Sequence, residues 1–125
     1  MLSDGCVVEP GALVERSVLA PGVYVAKDAV VRESVILTGT HIGEGAVVER
    51  VIIDKGVDIG ENARVGGKSE GEILIAMAGK KSLIPAGYVI EPGAVIGTDV
   101  NIEDYSSSLV RGDEYIQTKR LAYEV

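Results

Sequence analysis

Tryptophan and phenylalanine are absent from this chain, which also has one cysteine, Cys6, and one histidine, His41. Without large aromatic rings, the interior has to be filled by Val, Ile, Leu and Ala. These β-branched and small aliphatic residues suit thin, stacked strands better than helices. A single cysteine cannot form an internal disulfide, which fits a reducing, cytoplasmic setting. No run of about 18 apolar residues is present, so no membrane span is expected. No charged-then-apolar leader opens the sequence. Basic charge is also scarce, with 12 Lys and Arg against 19 Asp and Glu, a net charge of −7. That balance excludes a phosphate-neutralising face and hence a nucleic-acid partner.

What is abundant is regular. Written from Leu2 in rows of 17 residues, the first part of the chain falls into aliphatic columns. Leu2, Leu19, Ile36 and Ile53 form one column. Val8, Val25, Ile42 and Ile59 form a second, and Val14, Val31, Val48 and Val65 a third. Small residues stand four positions further on, as in Ala12, Ala29, Ala46 and Ala63. Residues i and i+4 of an extended chain point to the same side, so large and small residues together fill one narrow interior. Gly5, Gly22, Gly39 and Gly56 mark one turn, and Gly11, Asp28, Gly45 and Asn62 another. Gly, Asn and Asp tolerate positive φ, so each of these turns is expected to use a left-handed backbone. Helical periodicity is absent. The pattern defines an all-β, single-stranded left-handed parallel β-helix of hexapeptide repeats, with three short strands per coil.

The third corner lacks glycine and carries charge: Glu15-Arg16, Arg32-Glu33 and Glu49-Arg50. Stacking predicts two ladders of alternating sign, Glu15–Arg32–Glu49 and Arg16–Glu33–Arg50. One domain, 1–125, is expected, with regular coils over 1–65 and an excursion with its own strand at 66–83. Further coils follow over 84–102, through Ile84, Ile90, Ile96 and Ile102. A capping tail, irregular or strand-like, is expected over 103–125.

Catalytic motifs are sparse. Hexapeptide-repeat acyltransferases resemble this architecture and use a histidine base, for which His41 is the one candidate. The three-histidine metal site of the β-helical carbonic anhydrases cannot be built here. Gly67-Lys68-Ser69 lacks the upstream glycine and the strand-to-helix context of a P-loop. Arg111-Gly112-Asp113 is a chance tripeptide, and Cys6 falls in the inward column of small residues.

From Ile52-Ile53-Asp54-Lys55 through Ile59-Gly60 the sequence is more specific. The string IIDKGVDIGENARVG resembles the β-helix of glucose-1-phosphate adenylyltransferases. LSDGCVVEPGALVERSVLAPGVYV, VRESVILTGTHIGEGAVVERVIID, KKSLIPAGYVI and RGDEYIQTKR agree with it. The resemblance spans the chain but only the C-terminal third of such an enzyme, without the Gly-rich nucleotidyltransferase domain. It implies an oligomerisation and allosteric domain that is not an enzyme by itself and binds no cofactor. The parent enzyme would use ATP and Mg to make ADP-glucose and pyrophosphate in glycogen or starch biosynthesis. The resemblance also implies the catalytic nucleotidyltransferase domain as partner. A phosphorylated metabolite or phosphate would act as effector at Lys55 and Lys80, and the chain would self-associate as a dimer or tetramer. Met1 stands where that family has mid-repeat sequence, as in an isolated domain or a fragment. The first coil, with Leu2, Val7 and Val8, is then the expected self-association edge. The competing reading is a small stand-alone acyltransferase using His41 and a trimer-interface cleft.

Overall fold

A computed structural model describes residues 5–67 and 73–118, and in it the repeat becomes a triangular prism with three parallel sheets. Face one stacks β1 (Val7–Val8), β4 (Tyr24–Val25), β7 (His41–Ile42), β10 (Asp58–Ile59) and β13 (Leu83–Ile84). Face two stacks β2 (Leu13–Glu15), β5 (Val30–Arg32), β8 (Val47–Glu49), β11 (Arg64–Gly66), β14 (Val89–Ile90) and β16 (Leu109–Val110). Face three stacks β3 (Val18–Leu19), β6 (Val35–Ile36), β9 (Val51–Ile53), β12 (Ala76–Ala78), β15 (Val95–Ile96) and β17 (Tyr115–Ile116). This is the left-handed parallel β-helix that the 17-residue period requires. Its register is the same one: Val25 pairs with Ile42 and Ile42 with Ile59, and Val31 pairs with Val48.

The aliphatic columns form the core. Leu19, Ile36, Ile53, Val25, Ile42 and Ile59 are fully buried, and Ala29, Ala46 and Ala63 lie beside them with no exposed surface. The first corner turns at positive φ on Gly22, Gly39 and Gly56, then on Lys81 and Asp99. The second does so on Gly11, Asp28, Gly45, Asn62 and Gly87. The charged third corner is left-handed too, at Arg16, Glu33 and Arg50, with φ of 46°, 48° and 54°. A left-handed backbone costs an L-residue about 1–2 kcal/mol. These three residues form one ladder, with Glu33 contacting Arg16 at 3.3 Å and Arg50 at 3.4 Å. Buried serines close the same corner. The Ser34 N–H donates to Ser17 Oγ, and the Val51 N–H to Ser34 Oγ.

Four expectations change. In the second ladder Arg32 meets Glu15 at 2.9 Å, but Glu49 does not complete it. Glu49 is buried with Oε2 lacking a hydrogen-bond partner. The excursion ends earlier than residue 83, because Ala76–Ala78 re-enters face three between β9 and β15. Its polar stretch 68–72 lies outside the described residues. Ile102 does not point inward. Residues Ile102–Asp104 form a short 3₁₀ turn that leaves Ile102 exposed. The aromatic Tyr105 is buried in its place, donating its hydroxyl to the Leu83 carbonyl at 2.7 Å. Finally, the tail adds two more strands to the prism, β16 and β17, with Val110 and Ile116 buried. The stretch from Glu103 hid this continuation because a turn interrupts its period; residues 119–125 lie outside the described residues. No helix among the described residues is long and apolar enough to cross a membrane.

Candidate active site

Residues that alternate with the buried aliphatics point outward, and on face one they bring chemistry together. In-register pairing stacks Tyr24 on His41 and His41 on Asp58, one residue per coil. Because neighbouring strands lie about 4.8 Å apart, flat rings at equivalent positions stack face to face. The Tyr24 and His41 rings are 4.9 Å apart and 5° from parallel. On the other side, His41 Nδ1 lies 3.7 Å from Asp58 Oδ1, with both side chains more than half exposed. The Tyr24 hydroxyl is tied to Glu9. That hydrogen bond, aided by desolvation and by the charge of Glu9, raises the phenol above its ordinary pKa.

The row borders an open cavity of about 350 Å³, lined also by Gly43, Glu44, Gly60 and Glu61. Gly43 and Gly60 are required by coil stacking. A Cβ on Gly43 would come within 2.7 Å of the Ile59 carbonyl oxygen, and one on Gly60 within 2.7 Å of Ala86 Cα. The lining holds four carboxylates, of Glu9, Glu44, Asp58 and Glu61, and no Lys or Arg. Among the described residues, no group of three or more His, Cys, Asp and Glu side chains is placed to hold a metal ion. The arrangement suits proton transfer. At 3.7 Å the His41–Asp58 pair is an electrostatic contact longer than a hydrogen bond, and an imidazole beside a carboxylate is the pairing that general-base chemistry uses.

His41 was legible as a lone histidine, but its partners were not. The signal was present in the 17-residue rows, where Tyr24 and Asp58 occupy the same outward position as His41. Lys55 and Lys80 also become neighbours. The Lys81 N–H donates to the Lys55 carbonyl at 2.9 Å, placing Lys55 and Lys80 on successive coils of the first corner, both exposed. That corner separates face three from the His41 face. The Arg111-Gly112-Asp113 tripeptide sits in a turn tied down by Glu114 and Glu91. Lys68 and Ser69 lie outside the described residues.

A prism of hexapeptide coils with a histidine–carboxylate pair on one face defines a hexapeptide-repeat protein. The chain belongs to the GlmU-like, C-terminal hexapeptide family, whose model matches residues 1–75. No curated protein matches it. Among solved structures it is similar to GDP-perosamine N-acetyltransferase from Caulobacter crescentus, a variant in complex with CoA and GDP-perosamine. That match has 22% identity and a TM-score of 0.72, covering 89% of this chain and 50% of that one. It is also similar to the acetyltransferase domain of PglB from Neisseria gonorrhoeae, at 20% identity and a TM-score of 0.45, covering 87% of this chain and 53% of that one. The chain thus spans about half the length of these structures.

The resemblance to glucose-1-phosphate adenylyltransferases is not shown by these matches. They also correct the expectation that the chain is a non-enzymatic module of a nucleotidyltransferase. The acetyltransferase from C. crescentus carries the same coil over 89% of this chain. The fold is therefore found within a catalytic chain and is no mark of an accessory domain.

Proposed function

We propose that the chain is an acyltransferase domain of the hexapeptide-repeat class, with His41 as general base and Asp58 as its positioning residue. The observation that carries this reading is the His41–Asp58 pair, seated on Tyr24 beside an open cavity. The donor would be an acyl thioester of coenzyme A, and the acceptor an amine or a hydroxyl. In the step envisaged, the acceptor's N or O attacks the thioester carbonyl while His41 Nε2 takes its proton. The carbon–sulfur bond then breaks, and the thiolate leaves and takes up a proton. Asp58 stabilises the transient imidazolium at Nδ1, and Tyr24 holds the ring plane. General-base catalysis of this kind contributes about 10²–10⁴-fold.

The test is thiol release from acetyl-coenzyme A over a panel of amine and hydroxyl acceptors. His41→Ala should lower turnover by about 10²-fold or more, and Asp58→Asn should lower it with little change in stability. An active protein whose turnover is insensitive to His41→Ala would overturn the assignment.

A second reading concerns Lys55 and Lys80. Two exposed ammonium groups on successive coils suit a phosphate, bound as point charges. Titration with inorganic phosphate should perturb both lysine side chains, and Lys55→Ala should abolish the effect. No perturbation in the wild-type chain would exclude this reading.

A further inference from the structure

The coil sorts its charges by corner. The cavity beside His41 is lined by four carboxylates and by no Lys or Arg. The second corner, at the far end of face one, is net acidic. There Lys27, Glu44 and Glu61 stand on successive coils, with the Gly45 N–H donating to the Lys27 carbonyl and the Asn62 N–H to that of Glu44. At the third corner Arg16, Arg32 and Arg50 are engaged by Glu15 and Glu33. The first corner is the reverse. Lys55, Lys80 and Lys81 crowd two successive coils, all exposed, and none is in an ion pair with a described residue.

Beside that corner, on face three, runs a trough of about 210 Å³ walled by Ile52, Met77, Val95 and Tyr115. Gly79 and Gly97 lie in its lining, and stacking keeps both as glycine. A Cβ on Gly79 would come within 2.6 Å of the Thr98 nitrogen, and one on Gly97 within 3.0 Å of the Ile116 carbonyl oxygen. The lining is therefore bare backbone there, and the 60% exposed Tyr115 stands at the last coil. Lys55 and Lys80 directly follow Asp54 and Gly79 of this lining. Asp54 is its acidic group, and its Oδ1 accepts a hydrogen bond from the Lys55 N–H at 2.7 Å. An apolar slot thus opens onto a cationic edge.

We infer that an acyl-coenzyme A donor straddles the first corner, with its adenine in the face-three trough, its phosphates on Lys55, Lys80 and Lys81, and its pantetheine arm crossing face one to His41. This rests on the acyl-transfer reading and assigns the donor's place within it. Charge decides the phosphate end. In the His41 cavity a phosphate would meet four carboxylates, and like charges in a cleft repel. The lysine corner instead offers three ammonium groups, which bind phosphate as point charges. The trough suits the adenine, because a planar ring packs on apolar walls and stacks on an aromatic side chain such as Tyr115. Between base and phosphates the ribose presents hydroxyl donors, the partner that the Asp54 carboxylate accepts. Reach fits as well. Asp58 is three residues on from Lys55 and pairs with His41 on the coil below. At about 3.3 Å per residue and 4.8 Å per coil, Lys55 stands within roughly 15 Å of the base, less than an extended pantetheine arm.

Isothermal titration with coenzyme A tests the site without turnover. Replacing both Lys55→Ala and Lys80→Ala should raise Kd by about 2- to 30-fold, from two exposed charge contacts. Met77→Glu, on the trough wall, should also weaken binding, and Lys27→Ala at the second corner should not. All of these side chains are exposed, so the variants should keep the wild-type circular dichroism. In the acetyl-transfer assay the double lysine variant should raise KM for acetyl-coenzyme A rather than lower kcat. With S-acetylpantetheine, which has no nucleotide, the same variant should show no such rise. Inorganic phosphate should bind the corner about tenfold or more weaker than coenzyme A. Coenzyme A affinity indifferent to the lysines and Met77, a KM rise equally large with S-acetylpantetheine, or phosphate binding as tight as coenzyme A would overturn the inference. Turnover that still depends on His41 would in that case leave acyl transfer standing. Lysine-dependent coenzyme A binding without thiol release to any acceptor would support the nucleotide site and overturn acyl transfer itself. No binding at millimolar coenzyme A would overturn both.

Discussion

Glycine serves two separate purposes in this coil, and replacing Gly60 and Gly39 by alanine separates them. Gly39 turns the first corner at φ +75°, with nothing within 4 Å of where a Cβ would stand. Its alanine variant bears only the left-handed strain, about 1–2 kcal/mol. Stiffening of the unfolded chain returns about 0.4–1 kcal/mol of this, for a net loss of about 1 kcal/mol. Gly60 has an ordinary φ, but a Cβ there would lie within 2.8 Å of Pro85 C and closer still to Ala86. These are backbone atoms of the next coil and cannot rotate away. Overpacking costs about 1–3 kcal/mol. Opening the coil would also strain the 2.8 Å hydrogen bond from the Gly60 N–H to the Ile84 carbonyl, a bond worth about 0.5–1.5 kcal/mol. Gly60→Ala should therefore cost about 2–4 kcal/mol, well above Gly39→Ala. Urea denaturation followed by circular dichroism measures both. With a slope of about 1–3 kcal/mol per molar, Gly60→Ala should lower the midpoint by about 1 M or more, and Gly39→Ala by clearly less. Equal shifts, or a milder Gly60 variant, would refute the claim that backbone contact between coils governs this position.

Other consequences can be measured in the same way. Ala46 is fully enclosed by its column, so Ala46→Leu should lose about 1–3 kcal/mol; an unchanged melt would mean that the inward column is misassigned. Glu33 holds two arginines from a left-handed position. Glu33→Ala should lose about 0.4–2 kcal/mol, from one exposed pair with Arg16 and one half-buried pair with Arg50. Glu33→Gly sheds the φ strain as well and should come out near neutral, so equal losses would show that the strain is not real. Tyr105 has its pKa raised, first by burial and then by Tyr88 and Asp104. Above about pH 10 the unfolded chain gives up this proton while the folded chain retains it. Stability is therefore full below that pH and falls as pH rises beyond it. Tyr105→Phe should show a shallower alkaline decline despite a lower neutral-pH melt, and an identical slope would contradict this.

The fold was legible because its period is carried by residues that can do only one thing in an extended chain. Leu19, Ile36 and Ile53 stack in the interior, and Gly22 and Gly39 turn. Legibility failed where a residue's role depends on what lies one coil away. Glu49 belongs to the charge ladder by position, yet it is buried and unpaired with Arg32. Ile102 continues the apolar column by position, yet a 3₁₀ turn places it outside and Tyr105 within. The strands beyond residue 103 were hidden because Tyr115 and Ile116 resume the pattern after that irregular turn. At the candidate site, inward positions drew the reading and the outward row did not. Tyr24, His41 and Asp58 share one column, but only in-register stacking turns three separated residues into a unit.

Because His41 is the sole histidine, its ring signals in an NMR spectrum are unambiguous. They give the most direct test of where acyl transfer would occur. The chain would be titrated with a non-hydrolysable thioether analogue of acetyl-coenzyme A. The account predicts a saturable shift of the His41 ring resonances that is weakened in Asp58→Asn. Unchanged His41 signals at millimolar analogue, or shifts confined to Lys55 and Lys80, would contradict the placement of chemistry on face one.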